Sequence, residues 1–496
     1  MTIAGSSMAF IDSSAVNVAL PSIQVDLRSD AAKLAWVVEG YALFMSALIL
    51  VGGALGDRFG RRRTFVAGIA VFALASAACA AAQTIEQLDV ARCLQGAGGA
   101  LATPGSLALI SANFAGPARG RAIGTWSGFA AITAAIGPLL GGWLAQSASW
   151  RYVFLINLPP ALFVIVAASL AVPESRDREA SPSVDVAGAI LVTLGLGGLT
   201  FGLTGFGDGT RDGVAALSTV LGSLLLVAFV GWEKRARSPM VPLHVFRNAA
   251  FTGANLYTLL LYAALGGSFY FVPFDLQNVQ RYSPTAAGAA MLPFILIMFA
   301  FARPSGGLAA AVGARLPLVT GAIVAGFGFL CYARIGVGGS YWTTFFPAAV
   351  VLGAGGALFV APLTTAVMSA LDTAQAGVAS GINNAVARVA GLLAIAVLGI
   401  VLSTTFYSQF DRTVSKLPLS AATRQTLERD RAALSTGRPV SNVGERDRTL
   451  VDGALASAYT AGFRWNMVVC ALAAWLAALV AWRTIPAGPL RASRET

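Results

Sequence analysis

The sequence predicts an all-α polytopic membrane protein: two six-helix bundles with two extra central spans, fourteen transmembrane helices in all. Three observations predict it. Hydrophobic residues make up 56% of the 496-residue chain and charged residues only 11%, against about 25% charged in an ordinary soluble protein. The basic residues fall in short clusters between long apolar runs, such as Arg58, Arg61, Arg62 and Arg63, or Lys234, Arg235 and Arg237. That is how cytoplasmic loops look under the positive-inside rule. A degraded internal repeat is the third: Gly53-Ala-Leu55-Gly-Asp57-Arg58-Phe-Gly60-Arg-Arg62 returns 253 residues later as Gly306-Gly-Leu308-Ala-Ala310-Ala311-Val-Gly313-Ala-Arg315. Duplicated halves are a transporter architecture.

A span needs roughly 20 mainly apolar residues to cross about 30 Å of hydrocarbon. Stretches that meet this are centred near residues 13, 45, 74, 100, 132, 161, 195, 222, 262, 296, 325, 355, 390 and 470. The first has no basic segment before it and carries Asp12 near its middle, which a secretory signal would avoid, so it reads as a retained span. The echo of the Gly53 segment lies eight spans on, not six, so the seventh and eighth spans read as an insert. They hold no polar residue of note. The expected division is residues 1–172 for the first bundle, 173–244 for the insert with its connections, and 245–485 for the second bundle, with 486–496 as a tail.

With the N-terminus inside, about 17 Lys and Arg lie on the cytoplasmic side and about 6 in short external connections. Both termini are therefore expected in the cytoplasm, and the protein in the cytoplasmic (inner) membrane. The external connection at about 408–456 is long and mixed in charge. It reads either as a dock for a periplasmic adaptor or as a disordered connection or small amphipathic cap.

Several function classes are excluded. The net charge of +11 comes without a basic patch interleaved with aromatics, so nucleic-acid binding is not expected. One histidine, His244, and four scattered cysteines supply neither a metal quartet nor a disulfide framework. No Gly-Lys-Ser/Thr follows a glycine-rich turn, so uphill work would draw on an ion gradient and not on a bound nucleotide. A membrane enzyme would need a clustered catalytic set, which is missing. No cofactor is expected. The expected partners are the lipid bilayer, a small-molecule substrate and protons, on a monomeric chain.

Charges inside spans mark candidate sites. Asp12 sits mid-span, as an exchangeable carboxylate or as a structural partner. Arg92 lies inside the fourth span with Gln95 and Gly96 near its face, either tuning a carboxylate or fixed in an ion pair. Glu39, about one turn into the second span after Trp36, is a second proton or cation candidate, or an acid reaching external water. Asn17, Gln95, Asp275, Asn383 and Arg388 are candidates to line a cavity, although Arg388 could equally be glue between helices. Gly53, Asp57, Arg58, Gly60, Arg61 and Arg62 form an inner turn whose charges can latch the cytoplasmic face; the echo has lost the acid at Ala310. In the fifth span Gly124, Gly128, Ala131, Ala135, Pro138 and Gly142 share one stripe, which suits close helix packing.

Taken together these motifs resemble the major facilitator superfamily. The Gly53 to Arg63 segment resembles its inner-loop motif, and Leu88-x-x-x-Arg92-x-x-Gln95-Gly96-x-Gly98 its fourth-helix motif. Gly128 to Gly142, ending Gly137-Pro138-x-x-Gly141-Gly142, resembles its antiporter helix motif. Asp12-x-x-x-x-Asn17-Val-Ala-Leu-Pro21, Trp150-Arg151-x-x-Phe154-x-Ile-Asn157-x-Pro159 and Ala376-Gly377-x-Ala-Ser380-Gly381-x-Asn383 resemble the fourteen-span drug:proton antiporter branch. The resemblance implies a proton-coupled exporter of hydrophobic or amphipathic compounds. It implies proton coupling at Arg92 and a gating role for the fifth-helix stripe. The alternative on the same fold is a facilitator or symporter of a specific metabolite or lipid.

Overall fold

The computed structural model describes all residues except 115, 177–183, 208–212, 372–374, 430–444 and 489–496, together with the backbone alone at a few helical positions. Among the described residues there are helices and turns but no strand. The first half contains α1 (Thr2–Asp26), α2 (Ala31–Phe59), α3 (Arg61–Ala81), α4 (Ile85–Asn113), α5 (Gly116–Ser147), the short α6 (Tyr152–Leu155) and α7 (Leu158–Ala171). Next come α8 (Val186–Gly207) and α9 (Gly213–Glu233). The second half contains α10 (Ala249–Phe274), α11 (Pro284–Ala290), α12 (Leu292–Val312), α13 (Arg315–Ala333), α14 (Phe345–Ser369), α15 (Ala376–Val414), α16 (Ala421–Arg429) and α17 (Glu445–Thr484).

Twelve segments are long and apolar enough to cross a membrane, counting α6 with α7 and α11 with α12 as one each. The other two expected spans are α4, of 29 residues, and α5, of 32. Arg92, Gln95 and several glycines dilute the apolar character of α4.

The helix ends follow from local chemistry. Asp30 accepts the Lys33 N–H at 2.8 Å at the start of α2, and Asn248 accepts from Ala250 and Phe251 at the start of α10. Ser283 caps α11 ahead of Pro284, whose missing N–H costs nothing in a first turn. Gly60 at φ +116° joins α2 to α3, and Gly313 at φ +88° joins α12 to α13. Both are left-handed positions that disfavour a side chain. They are also the equivalent glycines of the sequence repeat, so the echo corresponds to the same turn in each half.

In the first half α4 packs on α2 and α3, and α1 on α5; in the second, α14 packs on α12 and α13, and α17 on α10, α13 and α15. The halves meet along α5 with α11 and α12, α1 with α10, and α2 with α15. The helix α8 lies against α2, α15 and α9. Leu217, Leu224 and Val227 on α9 are exposed, as expected of a lipid-facing helix. The segment at 408–456 is more helical than a connection: α15 runs on to Val414, α17 begins at Glu445, and Asp447 accepts from Ser420 and Thr423 to dock α16.

Candidate functional site

Asp12 is ten residues from the N-terminal end of α1, about 15 Å at 1.5 Å per residue, and is fully buried. Its Oδ2 accepts from Arg92 Nη1 at 2.6 Å. Its Oδ1 accepts from Gln95 Nε2 at 2.9 Å and from Asn157 Nδ2 at 3.1 Å. Arg92 also donates to Gln95 Oε1 at 2.6 Å and to the Val37 carbonyl at 2.7 Å. Its guanidinium lies 4.2 Å from the centre of the Tyr41 ring. Gln95 donates further to Ser76 at 2.8 Å. Four long helices and the cap of α7 therefore converge on one carboxylate.

The local sequence explains the convergence. Arg92 and Gln95 are three apart on α4 and so share a face. A side chain on Gly96 would collide with the Tyr41 backbone, and one on Gly98 with that of Phe72. The motif glycines thus bring α4 within reach of α2 and α3. A buried ion pair persists only when its remaining hydrogen-bonding capacity is met, and here Gln95, Asn157 and Val37 meet it. Gln95, expected to line a cavity, is instead sealed inside this network.

Glu39 lies deeper than expected. It is eight residues into α2, about 12 Å of helix, and has no exposed surface. The reading of an acid in external water is therefore corrected: α8 covers it. Thr204 Oγ1 on α8 stands 3.2 Å from Glu39 Oε2 and also donates to the Thr200 carbonyl at 2.9 Å. The insert thus carries a polar contact that its sequence did not suggest. No cation forms an ion pair with Glu39 among the described residues. Asp89 on α4, which the sequence reading passed over, lies within electrostatic reach of it.

The other candidates separate. Asp275 opens a π-helical turn over residues 275–279, is fully buried, and accepts from Gln280 at 3.2 Å. It has no accessible surface in this conformation. Asn383 donates to Asn255 at 3.2 Å and Thr258 at 2.7 Å, tying α15 to α10. Arg388, twelve residues into α15, is half-buried and has no hydrogen-bond or ion-pair partner among the described residues. Asn17 is half-buried on α1, and its Oδ1 has no partner.

The C-terminal part of the fifth-helix stripe forms a seam between the halves. Gly137 rests on Ser14 and Gly141 on Ala15, while Gly142 meets the Pro284 backbone and Gly288 of α11 meets the Pro138 carbonyl. Gln277 donates across the same seam to the Val18 carbonyl at 2.9 Å. Gly128, with Gly124, Ala131 and Ala135, falls outside the described side chains.

At the inner turn Asp57 pairs with Arg61 at 2.8 Å, and Arg58 stacks on Phe59. Glu174, just beyond α7, accepts the backbone N–H of Arg62 at 3.0 Å and of Arg63 at 3.2 Å. A carboxylate at a helix N-terminus is stabilised by the helix dipole. Gly60 lies against the Glu174 carboxylate, and its φ of +116° is what makes the turn need glycine there. Gly53 meets only Pro104 at 3.8 Å and is not sterically required.

A family model described as Major Facilitator Superfamily matches residues 2–395. The tetracenomycin C resistance and export protein of Streptomyces glaucescens is 32% identical over 500 residues, covering 98% of this chain and 90% of that protein. The lincomycin resistance protein of Streptomyces lincolnensis is 36% identical over 389 residues, covering 78% and 80%. Among solved structures, a bacterial homologue of the human lysosomal transporter Spinster, inward-facing and unoccupied, aligns with TM-score 0.62 at 15% identity, covering 98% of this chain and 97% of that one. Family match, relatives and fold agree, and this multi-pass membrane protein belongs to the Major Facilitator Superfamily.

Proposed function

We propose that the protein is a proton-coupled exporter of small hydrophobic or amphipathic compounds that works by alternating access in the cytoplasmic membrane. The observation that carries this reading is the buried Asp12–Arg92 pair at mid-membrane depth, held by Gln95 and Asn157. An ion pair of this kind has two states. With Asp12 ionised, Arg92 is neutralised and the helices around it are locked together; a proton on Asp12 frees the guanidinium and changes the packing it supports. The resistance and export names of the relatives support the substrate class.

Residues 1–172 and 245–485 act as the two bundles that rock about the central space, and 173–244 supply the inserted spans. Both termini are cytoplasmic and the unit is a monomer. A proton arriving from outside discharges Asp12 or Glu39, and substrate arriving from inside competes with that proton. The Gly137–Gly142 seam closes the outer route, and the Asp57–Arg62 turn with Glu174 latches the inner face. The segment at 408–456, on the outer side, is where a periplasmic adaptor would dock.

The contact at Thr204 supports Glu39 as a second proton carrier. A threonine hydroxyl has one hydrogen, and the shorter bond commits it to the Thr200 carbonyl. The Glu39 contact is then best made by a carboxylic acid donating to Thr204.

The test uses liposomes with a trapped pH-sensitive dye, an imposed proton gradient and a panel of hydrophobic cations, neutral drugs and amphipathic acids. The expected result is compound-triggered proton movement in the wild type that is lost in Asp12→Asn. Compounds crossing with no proton movement would instead make the protein a facilitator.

A further inference from the structure

Arg388 is the cation that the proton-coupling network leaves over. It lies about 18 Å along α15 from its N-terminal end, at 1.5 Å per residue, which is near mid-membrane depth. Protein surrounds it, yet it keeps accessible surface and none of its nitrogens is sealed. Its helix packs against α2, α8, α10 and α17, and the side chain still keeps accessible surface among them. Asn384, one turn earlier on the same face, is exposed as well, with its amide turned back to Ser380 at 2.9 Å.

Across the interface between the halves, Tyr41 on α2 is only 3% exposed, and its hydroxyl has no hydrogen-bond partner. The helix that carries it packs against α15, the helix of Arg388, while its ring covers Arg92. A buried hydroxyl left unpartnered on one of two packed helices and an unpaired guanidinium on the other are donors without an acceptor. The charges say the same. Asp12 is matched by Arg92, and no carboxylate pairs with Arg388 among the described residues. An intramembrane cation belongs where a ligand or a counter-charge meets it.

We propose that Arg388 and Tyr41 form the site for the acidic group of the substrate, so that the exported compounds are amphipathic organic anions with a flat apolar body and not lipophilic cations. A guanidinium takes a carboxylate, sulfonate or phenolate in bidentate fashion, and the tyrosine hydroxyl supplies a further donor. The site bridges α2 and α15, one from each half, so an anion held there is felt by both. This deepens the exporter reading and rests on it for the word substrate; the binding itself can be tested without transport.

The experiment measures binding to the detergent-solubilised full chain of three fluorescent probes of one size: anthracene-9-carboxylate, anthracene-9-methanol and anthracene-9-methylammonium. The wild type is expected to prefer the carboxylate. Arg388→Gln should weaken the carboxylate roughly tenfold or more, the scale of a charge-assisted hydrogen bond, and leave the alcohol unchanged. Arg388→Lys should keep most of the preference, which separates lost charge from lost folding. A wild type that binds none of the three or favours the methylammonium overturns the proposal, and so does an Arg388→Gln variant with the wild-type order of affinities. Absence of proton-coupled flux in liposomes, by contrast, would strike the exporter reading and leave this site standing.

Discussion

The two halves differ in how their mid-span arginine is met. In the first, Asp12, Arg92, Gln95, Ser76 and Asn157 partner one another, and Arg92 is only 1% exposed. In the second, Asp275 Oδ1 and both amide atoms of Asn466 are buried without partners, and Arg388 stands unpaired among the described residues. The inner turns differ likewise, since Asp57 has become Ala310 in the second copy while the positive-φ glycine is kept at Gly60 and Gly313. The duplicated fold retained its turn geometry in both halves but concentrated its closed charge network in one. On the proposed reading the first half holds the proton, and the second, through Arg388, meets the ligand.

The sharpest way to break this contrast is to unpair the first half. Arg92→Gln leaves Asp12 buried without its cation and should cost about 3–5 kcal/mol of stability, read as a fall in the thermal unfolding midpoint. Adding Asp12→Asn in the same chain should restore most of it. If Arg92→Gln alone is harmless, the network is not the closed unit described.

Gly142→Val comes next. Its side chain would meet the Pro284 backbone at the seam, so it should prevent closure and cut transport about tenfold or more while probe binding survives; overpacking of this kind typically costs 1–3 kcal/mol. Cysteine accessibility from the outside, raised in the variant, would confirm that the seam is the cause.

A smaller effect is expected at the insert. Thr204→Val removes the acceptor for Glu39 and should lower coupled proton flux roughly three- to tenfold, the scale of one buried hydrogen bond, while Thr204→Ser should behave as wild type. Equal flux in all three would return α8 to a purely structural role. The smallest effect belongs to the inner turn, where Glu174→Gln weakens a partly exposed ion cluster. Such a pair is worth about 1 kcal/mol or less, so the balance of inward-open and outward-open states, read by spin-label distances, should shift by no more than about fivefold.

How much of this was legible in the sequence depends on whether a residue looks out of place where it stands. Asp12, Glu39, Arg92, Asp275 and Arg388 are charges in apolar runs and announce themselves. The repeat was legible because a turn with positive φ keeps its glycine even when its charges drift. Asn157, Ser76 and Tyr41 were not singled out as site residues, since ordinary polar residues reveal a role only when distant helices meet. Thr204 was hidden for a different reason. A threonine in a span satisfies itself through the carbonyl four residues back and passes for apolar filler. Glu174 gave no signal, because nothing in the sequence says that the end of α7 lies against Gly60. Depth was also misjudged for Glu39, since the helix begins earlier than its apolar run and another helix covers it.

The measurement that bears most directly on the central claim is proton release on substrate binding, followed with a pH indicator in weakly buffered detergent solution. If Asp12 exchanges a proton for substrate, saturating the wild type with a transported compound should release protons in proportion to the protein, and Asp12→Asn should release clearly fewer while still folded, with only Glu39 left to contribute. Release of equal size from both proteins, or none from the wild type, would contradict the assignment of the Asp12–Arg92 pair as the exchange site.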